Sequence, residues 1–133
     1  MTTTNSLNIF IVDGDKFYSN YLSEFLSNNF SCSITKADDN KVLFNNNNYP
    51  DVIFMNHSFI SSNSTESNLT QLKHTFNQSK IILLASTASS IENIITTTGE
   101  YIDYIIKNSH DFISISEIIN SIMYNKSLNK INN

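Results

Sequence analysis

The sequence predicts an α/β domain built on a doubly wound, five-stranded parallel sheet with helices on both faces. Two observations carry this expectation. Short apolar runs alternate with stretches whose apolar residues recur three and four apart, five of each, through nearly all of the 133 residues. The central runs Val52-Ile53-Phe54-Met55 and Ile81–Ala85 are apolar at every position, as strands covered on both faces require. A helix between each pair of strands makes the strands parallel neighbours joined by crossovers.

The elements follow in order. Asn8-Ile9-Phe10-Ile11-Val12 is rich in strand formers and is broken by Asp13-Gly14-Asp15. From Lys16 the period changes: Phe17, Tyr18, Tyr21, Leu22, Phe25 and Leu26 mark one helical face, with Asp15 as N-cap. Cys32 to Ala37 alternates and reads as the second strand, closed by Asp38-Asp39-Asn40. Lys41 to Phe44 leaves room for only a short helix before the Asn45–Asn48 run and Pro50. Val52–Met55 is the third strand, and a polar stretch from His57 to Asn68 leads to a helix carrying Leu69, Leu72 and Phe76. Ile81–Ala85 is the fourth strand. Ser89-x-x-Glu92 has capping-box spacing, Ile91, Ile94 and Ile95 form a stripe, and Gly99 suits a left-handed stop. Tyr104-Ile105-Ile106 is the fifth strand. Asp111 opens a last helix with Ile115, Ile118, Ile119, Ile122 and Met123, and residues 125–133 read as a frayed tail. The whole chain, 1–133, is thus read as one domain with its core over about 7–124.

Composition narrows the function. All eight basic residues are Lys, none is clustered, and the net charge is -4, which argues against nucleic acid or an anionic membrane surface as partner. No apolar run approaches the roughly 18 residues of a membrane span, and the amino terminus lacks the charged region of a signal peptide. The single Cys32 excludes an internal disulfide and Cys-rich zinc sites and suits a reducing, cytoplasmic setting. His57, His74 and His110 lie on separate segments and suggest no metal site. The 21 Asn against two Gly and one Pro read as base composition, since apolar periodicity continues throughout.

In an open parallel sheet the ligand or reaction site lies beyond the carboxyl ends of the strands. Candidate residues are therefore Asp13–Asp15, Asn56–His57, Ala85–Thr87 and Lys107. Those positions carry a pattern. Ile11-Val12-Asp13-Gly14-Asp15 resembles the acidic turn after the first strand of response-regulator receiver domains, the CheY-like family. Pro50-Asp51-Val52-Ile53-Phe54-Met55-Asn56 resembles that family's third strand, which ends in the phosphoacceptor Asp. Tyr104-Ile105-Ile106-Lys107 resembles its fifth strand, with the Lys and, three residues earlier, the aromatic switch residue. The resemblance covers about residues 7–124 and implies the flavodoxin/CheY-like strand order 2-1-3-4-5.

It also implies a chemistry in which a carboxylate takes a phosphoryl group from a donor histidine, with Mg²⁺ held by acidic residues. The residues depart from it. Asn56 stands in the acceptor place and Gly14 in the second acidic place; Asp13 matches the first, and Asp15 follows. Asn108 replaces the usual Pro after Lys107, and the loop after Asn56 lacks the usual Pro and Gly. The switch hydroxyl falls at Ala85 counting from the strand and at Ser86 counting back from the helix, and Ser86 is preferred. The resemblance thus implies a degenerate, non-catalytic receiver with no cofactor and no metal. It would act on protein partners through the face of the fourth helix, fifth strand and fifth helix, where Tyr104 and Ile102 are candidates. Homodimerisation is left open. Two alternatives are a receiver phosphorylated at Asp13 or Asp15, and a flavodoxin-like module binding an anion at Ser86-Thr87-Ala88-Ser89-Ser90 before a helix N-terminus.

Overall fold

The computed structural model describes residues 6–38, 49–60, 65–99, 102–108 and 111–132, without the side chains of 65–68, 97, 98 and 129–132. The elements are β1 (Leu7–Val12), α1 (Lys16–Asn29), β2 (Cys32–Ala37), β3 (Val52–Asn56), α2 (Thr65–Thr75), β4 (Lys80–Ala85), α3 (Ala88–Thr98), β5 (Asp103–Ile106) and α4 (Asp111–Asn132). A 3-10 turn at His57–Phe59 follows β3. The five strands pair in the order β2-β1-β3-β4-β5, every pair parallel. Fold class and strand order are those the sequence predicts. The short helix expected at 41–44 lies outside the described residues.

Strand alternation sends successive side chains into two cores. Phe10, Val12, Ile53, Met55, Leu83 and Ala85 meet Leu69 and Leu72 of α2, Phe76 just beyond its end, and Ile91 and Ile94 of α3. Ile9, Ile11, Phe54, Ile82, Leu84 and Ile105 meet Leu22 and Leu26 of α1 and Ile115 and Ile119 of α4. Each such buried Val, Leu, Ile, Phe or Met side chain contributes about 1.5–3 kcal/mol relative to exposure, which is why the interiors of β3 and β4 are apolar.

Four local readings need correction. Phe17 is 92% exposed, not part of the buried face. Five residues from Leu22 at about 100° each place it about 140° round the helix, so α1 buries Ser19, Leu22 and Leu26 instead. The start of α3 is shifted from the Ser89 capping box: Thr87 is the N-cap, in extended backbone, and its hydroxyl bonds to Ser89 Oγ at 3.1 Å and Ser90 Oγ at 3.2 Å. Ser89 therefore lies inside the first turn. The stop at Gly99 is as predicted, with φ 70° and its N–H on Ile95 O at 2.7 Å. The tail is helical: α4 continues to Asn132. Lys126 Nζ holds it to the sheet's lower end, donating to Ser6 O at 3.0 Å and to Asp51 Oδ2 at 3.2 Å. Finally, Ile102 is 2% exposed and packs into the α2–α3 core, so it is not a surface residue of any contact face.

Candidate functional site at the carboxyl ends of the strands

The parallel register stacks Val12 beside Met55, Asn56 beside Leu84, and Ala85 beside Ile106. It therefore brings Asp13, Asn56, Ser86 and Lys107 to one edge of the sheet. Backbone bonds fix two of them as strand continuations: Asp13 N donates to Ala37 O at 3.1 Å, and Lys107 N to Ala85 O at 2.8 Å.

Asp13 is the centre of the site. It is 2% exposed, and its Oδ1 accepts from Asp15 N at 2.9 Å and from Asn56 Nδ2 at 3.2 Å. Its Oδ2 faces Lys107 Nζ at 2.5 Å, an ion pair largely shielded from water. Asn56 is joined to both neighbours: its amide nitrogen donates to Asp13, and its Oδ1 accepts from Ser58 N at 2.9 Å, which closes the turn after β3. Asp15 is the N-cap predicted for α1, its Oδ1 accepting from Phe17 N at 3.1 Å and Tyr18 N at 3.2 Å. Its carboxylate thus neutralises helix N–H groups and is turned to the helix.

Gly14 carries no group into the site, and nothing in the backbone demands a glycine there. Its φ is not positive, and a Cβ built on it meets no heavy atom within 4 Å. The position lacks a side chain that it has room for. At the end of β4, Ala85 is 1% exposed with its methyl in the core, whereas Ser86 is exposed beyond the strand. Of the two, Ser86 alone offers a hydroxyl at this edge, and among the described residues it bonds to none of Asp13, Asn56 and Lys107.

The structure adds three residues that no local motif reveals. The Lys107 ammonium lies over the Tyr18 ring, 4.6 Å from its centroid. Tyr18 donates its hydroxyl to Asp111 Oδ2 at 2.8 Å, and Tyr21 donates to Asp111 Oδ1 at 3.1 Å. Asp111, 3% exposed, sits in the first turn of α4, where the helix N-terminus favours a carboxylate. Burial and then the Asp111 bond push the Tyr18 phenol well above its ordinary range, and the same causes raise Tyr21. Burial, followed by the positive charge of Lys107, lowers His57. The only sequence signal was a pair of tyrosines three apart on α1. Their acceptor lies 90 residues or more away.

The donor set does not suit the Mg²⁺ that the resemblance implies. A hard divalent cation needs several oxygen ligands. Here Asp13 already holds an ammonium, Asp15 caps a helix, Asn56 presents its amide nitrogen inward and Gly14 contributes nothing. Among the described residues no three His, Cys, Asp or Glu side chains converge. The charges of Asp13 and Lys107 cancel without an ion.

No protein-family model matches the chain, and no curated protein matches it in sequence. Its solved structural neighbours decide the architecture. The signal receiver domain of an HD domain-containing protein from Pseudomonas fluorescens Pf-5 superposes with a TM-score of 0.71 at 16% identity, over 98% of this chain and 96% of that one. A two-component response regulator from Clostridium difficile superposes with a TM-score of 0.66 at 24% identity, over 89% and 96%. The chain has the receiver fold. It spans about half of the response regulator DrrB from Thermotoga maritima, 85% of this chain against 51% of that one, at 18% identity and a TM-score of 0.65. Within the receiver fold, the site described above occupies the carboxyl edge of the sheet. Among the described residues no helix is long and apolar enough to cross a membrane.

Proposed function

We propose that this chain is an atypical receiver-like signalling protein that takes no phosphoryl group at Asn56 and acts by protein–protein contact. One observation carries the reading: the side chain that ends β3 is an amide donating to Asp13, while Asp13 is ion-paired to Lys107. An amide nitrogen is delocalised into its carbonyl and is a poor nucleophile, so an acyl phosphate has no carboxylate on which to form. Electrostatics supports the same reading. Two like charges 4 Å apart cost about 4 kcal/mol at an effective dielectric of 20, so a cluster of carboxylates calls for a cation. With Asn56 and Gly14 in place, one carboxylate remains, and Lys107 balances it. The site is locked by its own residues, without metal or phosphate, and performs no catalytic turnover.

Asp13 and Asp15 make poor substitute acceptors, the first because it holds Lys107 and the second because it caps α1. The proposed partner is a protein in a cytoplasmic signalling pathway, and the proposed contact face runs along β5 with the helices beside it. Tyr104, 40% exposed, lies there beside a shallow depression of about 530 Å³ lined by Asp103, Ile106, Asn108, Asp111 and Ser114. Ile102, being buried, is not part of it. Incubation with a small-molecule phosphodonor and Mg²⁺, followed by intact-protein mass spectrometry, tests the reading. The expected spectrum is unmodified, and an acid-stable, base-labile gain of one phosphoryl group would sink it.

A further inference from the structure

The family resemblance gives Tyr104 as the aromatic switch residue, three positions before Lys107, but the aromatic contact of Lys107 lies elsewhere. Tyr104 is 40% exposed, and among the described residues its hydroxyl makes no hydrogen bond. The ring beside the Lys107 ammonium is that of Tyr18, on α1, at 4.6 Å. Tyr18 is in turn held by Asp111 in the first turn of α4, and Asp111 also holds Tyr21. A single chain of contacts therefore runs from Asn56 through Asp13 and Lys107 to the Tyr18 ring, its hydroxyl and Asp111.

We propose that Tyr18, anchored by Asp111, is the positioning residue of Lys107 and couples the carboxyl-edge site to the seam between α1 and α4. The proposal deepens the preceding reading and rests on it for the identity of the site. The physical argument has two parts. The ammonium of Lys107 has a carboxylate at one contact and an aromatic face at another, so its position is defined by both. The ring packs against the core beneath α1 and α4 and lies 5.8 Å from that of Tyr21. Its hydroxyl, bonded at 2.8 Å to a buried carboxylate on another helix, fixes the orientation within that packing. Displacing Lys107 thus disturbs Tyr18, and through Asp111 it disturbs Tyr21. The seam reaches the surface there: Tyr21 is 42% exposed and Phe112 39%, and the Phe112 ring packs 5.9 Å from that of Phe25. Any change of state at Asp13 and Lys107 would emerge at Tyr21 and Phe112, on the side of the sheet opposite α2 and α3.

The test is the ring-current shift of the Lys107 ε-methylene protons by NMR of the full chain. In the wild type these protons are expected upfield of those of a free lysine. Tyr18→Phe keeps the ring but frees it from Asp111, and Asp111→Ala removes the acceptor; both are expected to bring the Lys107 signal back towards the free position. Asp111→Asn, whose side-chain oxygen still accepts the hydroxyl, is expected to keep the wild-type shift. Tyr104→Phe is expected to leave Lys107 unmoved. Wild-type shifts in Tyr18→Phe would overturn the proposal even if Asp111→Ala failed to fold. A response to Tyr104→Phe as large as that to Tyr18→Phe would overturn it too. The shifts are read on unmodified protein, and phosphoryl transfer is read separately by mass. A phosphoryl adduct would sink the preceding reading while the variant series still decides the role of Tyr18, so the two failures are distinguishable.

Discussion

The ion pair between Asp13 and Lys107 gives the sharpest energetic prediction, because both groups are withdrawn from water. The Asp13 side chain is 1% exposed and that of Lys107 12%. Removing one member strands the other, and breaking a buried pair from one side costs about 3–5 kcal/mol. Asp13→Asn leaves an oxygen for the Asp15 N–H but no charge for the ammonium. Lys107 reaches solvent along its small exposed edge, so this variant belongs near the lower limit, about 3 kcal/mol. Lys107→Met strands a carboxylate that keeps two donors, Asp15 N and Asn56 Nδ2, and costs about the same. The double variant removes both charges at once and is expected to lose about 3–4 kcal/mol instead of the sum, a coupling of about 2–3 kcal/mol. Urea unfolding of the four proteins, with linear extrapolation, measures it. Additive losses within about 0.5 kcal/mol would refute the claim that the two residues form one shielded unit.

Three further outcomes follow from the same geometry. Asp15→Ala removes the acceptor for Phe17 N and Tyr18 N and is expected to cost about 1 kcal/mol in urea unfolding; no loss would contradict its capping role. Gly14→Asp combined with Asn56→Asp places two carboxylates beside Asp13, where there is room for the first. That variant is expected to gain saturable Mg²⁺ binding by calorimetry that the wild type lacks, and equal binding by both would contradict the account of the donor set. Tyr18 titrates above its ordinary value of 10.0 in the folded protein. The folded state then holds a proton that the unfolded chain releases above that pH, so this stabilisation is complete below pH 10.0 and declines as pH rises beyond it. Stability measured against pH should fall less steeply on that alkaline limb in Tyr18→Phe than in the wild type.

What could be read from the sequence was whatever depends on local order. The all-apolar runs Val52–Met55 and Ile81–Ala85 announced strands covered on both faces, and the cores bear this out. The Asp13-Gly14-Asp15 turn announced a strand end and a cap, and Asp15 bonds as expected. Asn56, Asp13 and Lys107 were candidates because each closes a strand, and parallel pairing brings them within contact. Phe17 falls outside the buried face because a spacing of three and four defines a stripe but not which edge of it meets the sheet. The extent of α4 is not legible in the sequence because its last turns are mostly polar and Lys126 holds them by reaching to Ser6 and Asp51, a contact distant in sequence. The Tyr18–Asp111 bond joins residues 93 apart, and no periodicity encodes such a partner.

The central claim is that the side chain ending β3 cannot take a phosphoryl group, and it is tested most directly by comparing the wild type with Asn56→Asp under one phosphodonor and Mg²⁺. The account predicts no mass change in the wild type at any donor concentration, including those at which the Asn56→Asp variant gains a phosphoryl group. A stoichiometric, base-labile phosphoryl adduct on the wild-type chain, mapped to Asp13, Asp15 or Asn56, would contradict it.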